Sequence, residues 1–201
     1  MLENLFNLVK ENSSYAVINN PAIPNEKNDE VVADATHSVA EGLQGILAGG
    51  GLQKLLSMFS TNNNAESSGL LSNPIVGNII SSFKNKLSDN YNVSGTEADN
   101  ISNGLIPNVI GSLINKTNNP NDSSFSIGSI INSLTGTSQN GSGGGIGEMV
   151  SKFTAGSFDV NNDGQVGLDD LISKVTGGAK NLQQQNENTG GLFNTIKSFI
   201  K

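Results

Sequence analysis

SGTEADNISNGLIPNVIGSLI, residues 94–114, decides the fold class of this chain. Ser94 and Glu97 have the spacing of a capping box, which starts a helix because each side chain bonds to the backbone amide of the other residue. Pro107 predicts a kink, because proline lacks a backbone donor and clashes with the preceding turn. Apolar residues recur three or four positions apart, as on one face of a helix: Ala98, Ile101, Leu105, Val109, Leu113 and Ile114. The stretch therefore predicts a long helix with one buried face.

The segments on both sides of this stretch have the same helical spacing. Pro74 is predicted to be the first residue of a helix, and Asn28 is predicted to cap another. Their apolar faces are Ile75, Ile79, Ile80, Phe83 and Leu87 for the first, and Val31, Val32, Ala35, Val39, Leu43, Ile46 and Leu47 for the second. Shorter helices are predicted over 2–9, 52–59 and 127–134, with a loop over about 60–72. Since no segment alternates with period two, the predicted fold class is all-α, a small multi-helix bundle.

Residues 87–115, LSDNYNVSGTEADNISNGLIPNVIGSLIN, resemble the YidB-like group of bacterial proteins. The glycine-rich stretch GLQGILAGGGLQKLL, residues 42–56, is also similar to that group. The residues that match the group's pattern are Val93, Ser94, Ala98, Leu105, Pro107, Val109 and Leu113. The resemblance covers about residues 28–136. It implies a small all-α bacterial domain and assigns no functional residue.

Composition and charge exclude several classes of function. The 201 residues include 18 acidic and 11 basic side chains, so the basic surface that nucleic acids require is missing. The absence of cysteine excludes disulfides and thiolate chemistry, and the single histidine excludes a multi-histidine metal centre within one chain. That histidine, His37, lies off the apolar face of its helix and is predicted to be a solvated surface residue. No nucleophile is paired with a base, so we expect neither an enzyme nor a small-molecule substrate.

The N-terminus does not have the pattern of a targeting signal. The acidic residue Glu3 is the third residue of the sequence, and the N-terminus has neither a basic region nor an apolar run of the length that a signal peptide needs. No window approaches the roughly 18 apolar residues of a membrane span. We therefore expect a cytoplasmic location.

Residues 159–170, DVNNDGQVGLDD, match the calcium-loop template D-x-[DN]-x-[DN]-G-x5-E at most of its defining positions. Asp159, Asn161 and Asp163 would point inward at one ion, because alternate side chains of such a loop converge. Gln165 would offer its backbone carbonyl, and Asp170 stands at the last position in place of glutamate. The cofactor predicted from these five residues is one Ca2+, since that cation takes six to eight oxygen ligands.

Aspartate at the last position makes this loop similar to those of dockerins and other bacterial EF-hand-like proteins. It is shorter than glutamate by one methylene, which leaves the affinity and the preference between calcium and magnesium open. The alternative is an acidic, asparagine-rich turn that caps a helix without binding metal. A second loop of this kind is not found in the sequence, so a structural role for the ion is favoured over a sensor.

The rest of the chain is divided by composition. Residues 1–26 form an N-terminal helix and turn, and 27–136 form the YidB-like domain. A Gly/Ser linker (137–146), the EF-hand-like segment (147–178), and a polar spacer with a terminal amphipathic helix (179–201) follow. The apolar face of that helix is Leu192, Phe193, Ile196, Phe199 and Ile200.

This terminal face is predicted to dock on its own core, on another subunit, or on a membrane surface. We therefore expect a calcium-binding, non-enzymatic structural or assembly protein that self-associates as a homo-oligomer through amphipathic helices. The alternative is a membrane-surface or membrane-active protein that works through the same terminal helices.

Overall fold

The computed structural model describes residues 2–60, 67–119 and 125–135, and from the C-terminal part residues 172, 175–177, 179–181, 183–184 and 196–200. Within these ranges the chain is all-α, as predicted, and contains no strand. The α-helices are α1 (Leu2–Asn12), α2 (Asn28–Ala48), α3 (Leu52–Ser60), α4 (Ser67–Leu71), α5 (Pro74–Tyr91), α6 (Gly95–Thr117) and α7 (Ile127–Thr135). A π-helical turn (Ser14–Ile18) and a 3₁₀ turn (Asn25–Lys27) connect α1 to α2.

The ends of α5 and α6 follow from local chemistry. Asn73 caps α5, because its Oδ1 accepts a hydrogen bond from the amide of Ile75 at 2.9 Å. Asn92 ends the helix in the left-handed region, at φ 58°, a conformation that asparagine tolerates better than most residues. Ser94 caps α6 by accepting from the amide of Glu97 at 3.4 Å, which is the first of the two bonds of the predicted capping box, while Oε1 of Glu97 accepts from Nδ2 of Asn20 at 3.3 Å. Asn92 and Ser94 together make the boundary between α5 and α6 sharp.

The core is built from the predicted apolar faces. Helix α5 packs against both α2 and α6, α1 packs against α2 and α6, and α7 packs against α2. All six residues of the α6 face are buried, and α6 continues through Pro107 to Thr117. On α5 the face is shifted slightly, since Val76 is fully buried and Ile75 only partly. Each fully buried aliphatic side chain contributes about 1.5–3 kcal/mol, so these faces hold the bundle together.

The structure corrects the predicted start of α2. Asn28 is the first helical residue rather than the cap, and its amide bonds to the carbonyl of Asn25. Its side-chain nitrogen donates to the carbonyl of Ile18 at 3.4 Å. The 3₁₀ turn before α2 supplies a carbonyl to the first amide of the helix, and α2 begins without a side-chain cap.

The predicted loop over about 60–72 contains the short helix α4. Leu70 is buried and anchors this helix against α5 and α6. Tertiary packing of that leucine outweighs the local preference of the serines and glycine around it for a loop. Residues 61–66 lie outside the described ranges.

The C-terminal residues that the structure describes pack onto the same core. Val175, Ala179 and Ile196 are buried, and Ile200 packs partly buried against the hydrophobic core. Phe199 contacts α1, with its ring centroid 6.1 Å from that of Phe6. Of the three predicted locations for the terminal face, these residues occupy the first, the chain's own core.

None of the described helices combines the length with the apolar character that crossing a bilayer requires.

Candidate functional site

The predicted calcium ligands, Asp159, Asn161, Asp163, Gln165 and Asp170, lie outside the residues that the structure describes. The Gly/Ser linker over 137–146 lies outside them as well. What the structure does place is the segment that follows the loop: Val175 is 4% exposed, Ala179 is fully buried, and Ile172 packs partly buried against the core. The exit from the predicted loop is therefore attached to the helical bundle.

This attachment is close to the glycine turn between α2 and α3. Gly50 has a φ of +78°, which glycine adopts without the steric cost of a side chain. A Cβ placed on Gly50 would lie 3.9 Å from Oγ1 of Thr176. The neighbouring glycines, Gly49 and Gly51, line an open groove together with Lys54. The segment that follows the predicted loop therefore lies beside the glycine turn, and the same turn forms part of the groove.

A buried carboxylate lies elsewhere in the bundle, between α2 and α5. Asp34 is only 2% exposed. Its Oδ2 accepts hydrogen bonds from the hydroxyl of Tyr91 at 2.8 Å and from Nδ2 of Asn90 at 3.1 Å. Burial, and then the hydrogen bond to Asp34, raise the pKa of Tyr91, so the hydroxyl stays a donor. Both donors come from the last turn of α5, and the contact fixes that turn against α2.

His37 lies one turn along α2 and is not the solvated residue predicted from the sequence. Its side chain is 15% exposed, because α5 covers this side of α2. Nδ1 lies 3.0 Å from Nζ of Lys86, and Nε2 lies 3.3 Å from Oε1 of Glu41. Lys86 also donates to Oε2 of Glu41 at 3.0 Å. We call Asp34, His37, Glu41 and Lys86 the His37 cluster.

The pKa of His37 is lowered, first by burial and then by the positive charge of Lys86. Glu41 and Asp34 act in the opposite direction and are the smaller influences. The neutral imidazole is thus the favoured form at neutral pH.

The cluster combines titratable groups without the arrangement of a metal centre. Among the residues in the described ranges, no group of three or more His, Asp or Glu side chains is placed to hold an ion. The sequence does carry a signal for the cluster: Asp34, His37 and Glu41 are spaced by three and four positions on α2. That spacing places them on one side of the helix, where α5 can reach them.

Comparison of the chain with protein-family models, with curated proteins and with solved structures finds no match. The YidB-like resemblance stays a prediction.

Proposed function

We propose that this chain is a non-enzymatic structural protein that binds one Ca2+ in the loop 159–170. Asp159, Asn161, Asp163 and Asp170 would provide side-chain oxygens, and Gln165 a backbone carbonyl. One observation supports a structural role for the ion: the segment directly after the loop is buried on the bundle at Val175 and Ala179. Neutralising the repelling carboxylates of the loop would order the chain that leads into this attachment. Calcium would then strengthen the anchoring of the C-terminal segment.

Isothermal titration calorimetry on the full chain tests the ion site. We expect about one Ca2+ per chain, and loss of binding in the variant Asp159→Ala with Asp163→Ala. Asp89→Ala is the matched control, because it removes an exposed carboxylate of α5 far from the loop in sequence. Unchanged binding in the double variant would refute the site. Loss of binding in the control as well would indicate an unspecific effect of the negative charge.

Hydrogen exchange tests the anchoring role. Amides over 175–181 should exchange more slowly with calcium than without it, and those of α6 should not respond. Equal protection with and without calcium would refute the anchoring role, even where calorimetry finds the ion bound.

The proposed assembly consists of copies that exchange their C-terminal segments. The described residues 196–200 pack on α1 through Phe199 and Phe6, and a polar spacer precedes them in the sequence. The same contacts can form between two copies, which is the usual low-cost route to a dimer by domain swapping. Light scattering should then find species above the 20.9 kDa mass of one chain.

Cross-linking distinguishes exchange from other association, because the natural chain has no cysteine. Phe6→Cys protein is mixed with Phe199→Cys protein and treated with a short bifunctional thiol reagent. We expect linked pairs, which form only when one chain's segment lies on the other chain's α1. A mixture of Phe6→Cys and Leu71→Cys, which carries its thiol at an exposed position, is the control. Only unlinked 20.9 kDa chains would refute the exchange.

Flotation with vesicles separates this proposal from the membrane-surface alternative. Leu5 and Val9 of the N-terminal segment and Ile196 of the C-terminal segment are buried in the core, and Phe199 and Ile200 are partly buried. We therefore expect the full chain to stay unbound. Flotation that is lost in a chain truncated before Gly190 would favour the membrane alternative.

A further inference from the structure

The geometry of the His37 cluster requires a neutral imidazole. The ammonium of Lys86 can only donate hydrogen bonds, so its 3.0 Å contact with Nδ1 of His37 needs a free lone pair on that nitrogen. The ring proton is then on Nε2, which faces Oε1 of Glu41 at 3.3 Å. Lys86 closes the ring of contacts through Oε2 of Glu41. One side chain of α5 is thereby held by two side chains of α2.

We propose that this ring is a proton-operated latch between α2 and α5. A proton from solvent that adds to Nδ1 of His37 removes one of the two acceptors of Lys86, leaves only Oε2 of Glu41, and places two positive charges side by side. Lys86 then leaves the imidazole, while protonated His37 keeps Glu41 as its partner. The contact between α2 and α5 loosens at this point, and α5 is the helix that packs against both α2 and α6.

The charged groups around the imidazole are opposed in sign. Lys86 from α5 disfavours the proton, and Glu41 and Asp34 from α2 favour it. Tyr91 of α5 is bonded to Asp34 and stays neutral. Burial decides the balance together with Lys86, because an imidazolium loses hydration inside the contact.

The charged groups of the other elements that pack on α2 are either exposed, as Glu3 and Glu11 of α1 and Glu26 of the 3₁₀ turn are, or are paired with other residues. Lys10 of α1 pairs with Asp29 at 2.7 Å, and Lys27 of the 3₁₀ turn pairs with Glu30. Lys54 of α3 is exposed. Helix α7, IGSIINSLT, has no titratable side chain.

The sign of the pH dependence follows from the direction of the shift. The folded protein holds the His37 proton more weakly than the unfolded chain, in which the pKa is near 6.5. The stabilising contribution of the neutral ring is therefore complete above pH 6.5. It is lost as the pH falls from 6.5 toward the lowered pKa of the folded state.

Titration by NMR tests the charge arrangement, and the single histidine gives one unambiguous ring signal. We expect a midpoint below 6.5 for the natural chain. Lys86→Gln should raise the midpoint, and Glu41→Gln should lower it further. Lys84→Gln is the matched control, because Lys84 is also on α5 but pairs with Asp99 of α6. A natural midpoint at or above 6.5, or equal shifts for both lysine variants, would overturn the proposal.

Hydrogen exchange at about pH 7.5 and about pH 5.5 tests the loosening itself. Protection factors of α5 amides that face α2 should fall on acidification in the natural chain, and the fall should be much smaller in His37→Gln. If His37→Gln does not fold, Lys86→Gln replaces it, because that variant lacks the latch at both pH values. If the protection factors fall equally in the natural chain and in the variant, the latch is refuted, even where the NMR titration gives the expected midpoints.

Discussion

Gly42 is the position where the packing of α2 on α5 can be tested most directly. An alanine Cβ there would overlap Cγ1 of Ile79 and lie 2.9 Å from its Cδ1. Ile79 is 1% exposed, so its side chain has little free space to move into. The substitution Gly42→Ala must therefore push the two helices apart or force the isoleucine out of its rotamer.

Two opposing terms determine the magnitude. Alanine stabilises a helix interior by about 1 kcal/mol relative to glycine. Overpacking a filled contact costs about 1–3 kcal/mol. With a middle value for the second term, Gly42→Ala should lower the free energy of unfolding by about 1 kcal/mol.

The control is Gly45→Ala, three residues further along α2, where an added Cβ meets nothing within 4 Å. This variant should gain up to about 1 kcal/mol, because only the helix term applies. Urea unfolding of both variants should thus give changes of opposite sign. Ile79→Ala combined with Gly42→Ala should lose less than the sum of the two single changes, since the overlapping atoms are gone. Equal stabilisation by Gly42→Ala and Gly45→Ala would refute the close approach of α2 and α5.

Two further predictions concern polar contacts, and urea unfolding measures both. Tyr91→Phe removes a hydrogen bond to buried Asp34 and should lower the free energy of unfolding by about 1.5–3 kcal/mol. The control Tyr15→Phe, at a side chain that is 93% exposed, should leave the free energy of unfolding unchanged. Similar unfolding midpoints for the two variants would contradict the role of that bond. Asn73→Ala removes the cap of α5 and should cost about 1 kcal/mol, while Asn85→Ala at an exposed position within the helix should not destabilise. If Asn73→Ala left the free energy of unfolding unchanged, Pro74 alone would be sufficient to start the helix.

The helical architecture was predictable because its signals are local. Pro74 at a helix start and Ser94 three residues before Glu97 act within one turn of backbone, and the structure has both helices beginning there. All six residues predicted from the apolar spacing of α6 are buried, but Ile106, Pro107 and Ile110 are buried as well, because neighbouring elements cover more of α6 than one face. The local signals themselves require no knowledge of which helix packs against which.

Two of the three errors came from contacts between elements, and the other came from a local turn. A 3₁₀ turn ahead of Asn28 replaced the expected cap, and Leu70 turned part of an expected loop into a helix by packing on α5 and α6. His37 was expected in solvent because the apolar face of α2 was considered alone. Its burial comes from α5, which also brings Lys86 to within 3.0 Å of the ring, and no pattern on α2 shows where α5 lies.

The site predictions differ in kind from the fold predictions. The calcium loop is a motif whose chemistry is contained in twelve consecutive residues, so Asp159 and its neighbours could be named from the sequence. It remains a prediction, since those residues lie outside the described ranges. The polar contacts of Asp34 required the tertiary structure, because its donors come from a second helix.

The contact between Phe6 and Phe199 brings together residues from nearly opposite ends of the sequence. Closing so long a loop in an open chain is entropically unfavourable, so the contact becomes favourable only once the helices between have already assembled. It should be among the last to form during folding. Chains that stop short of this step leave part of α1 uncovered, and uncovered apolar surface is what chaperones and proteases recognise in unfinished proteins. The ring pair thus marks a molecule that has completed its folding.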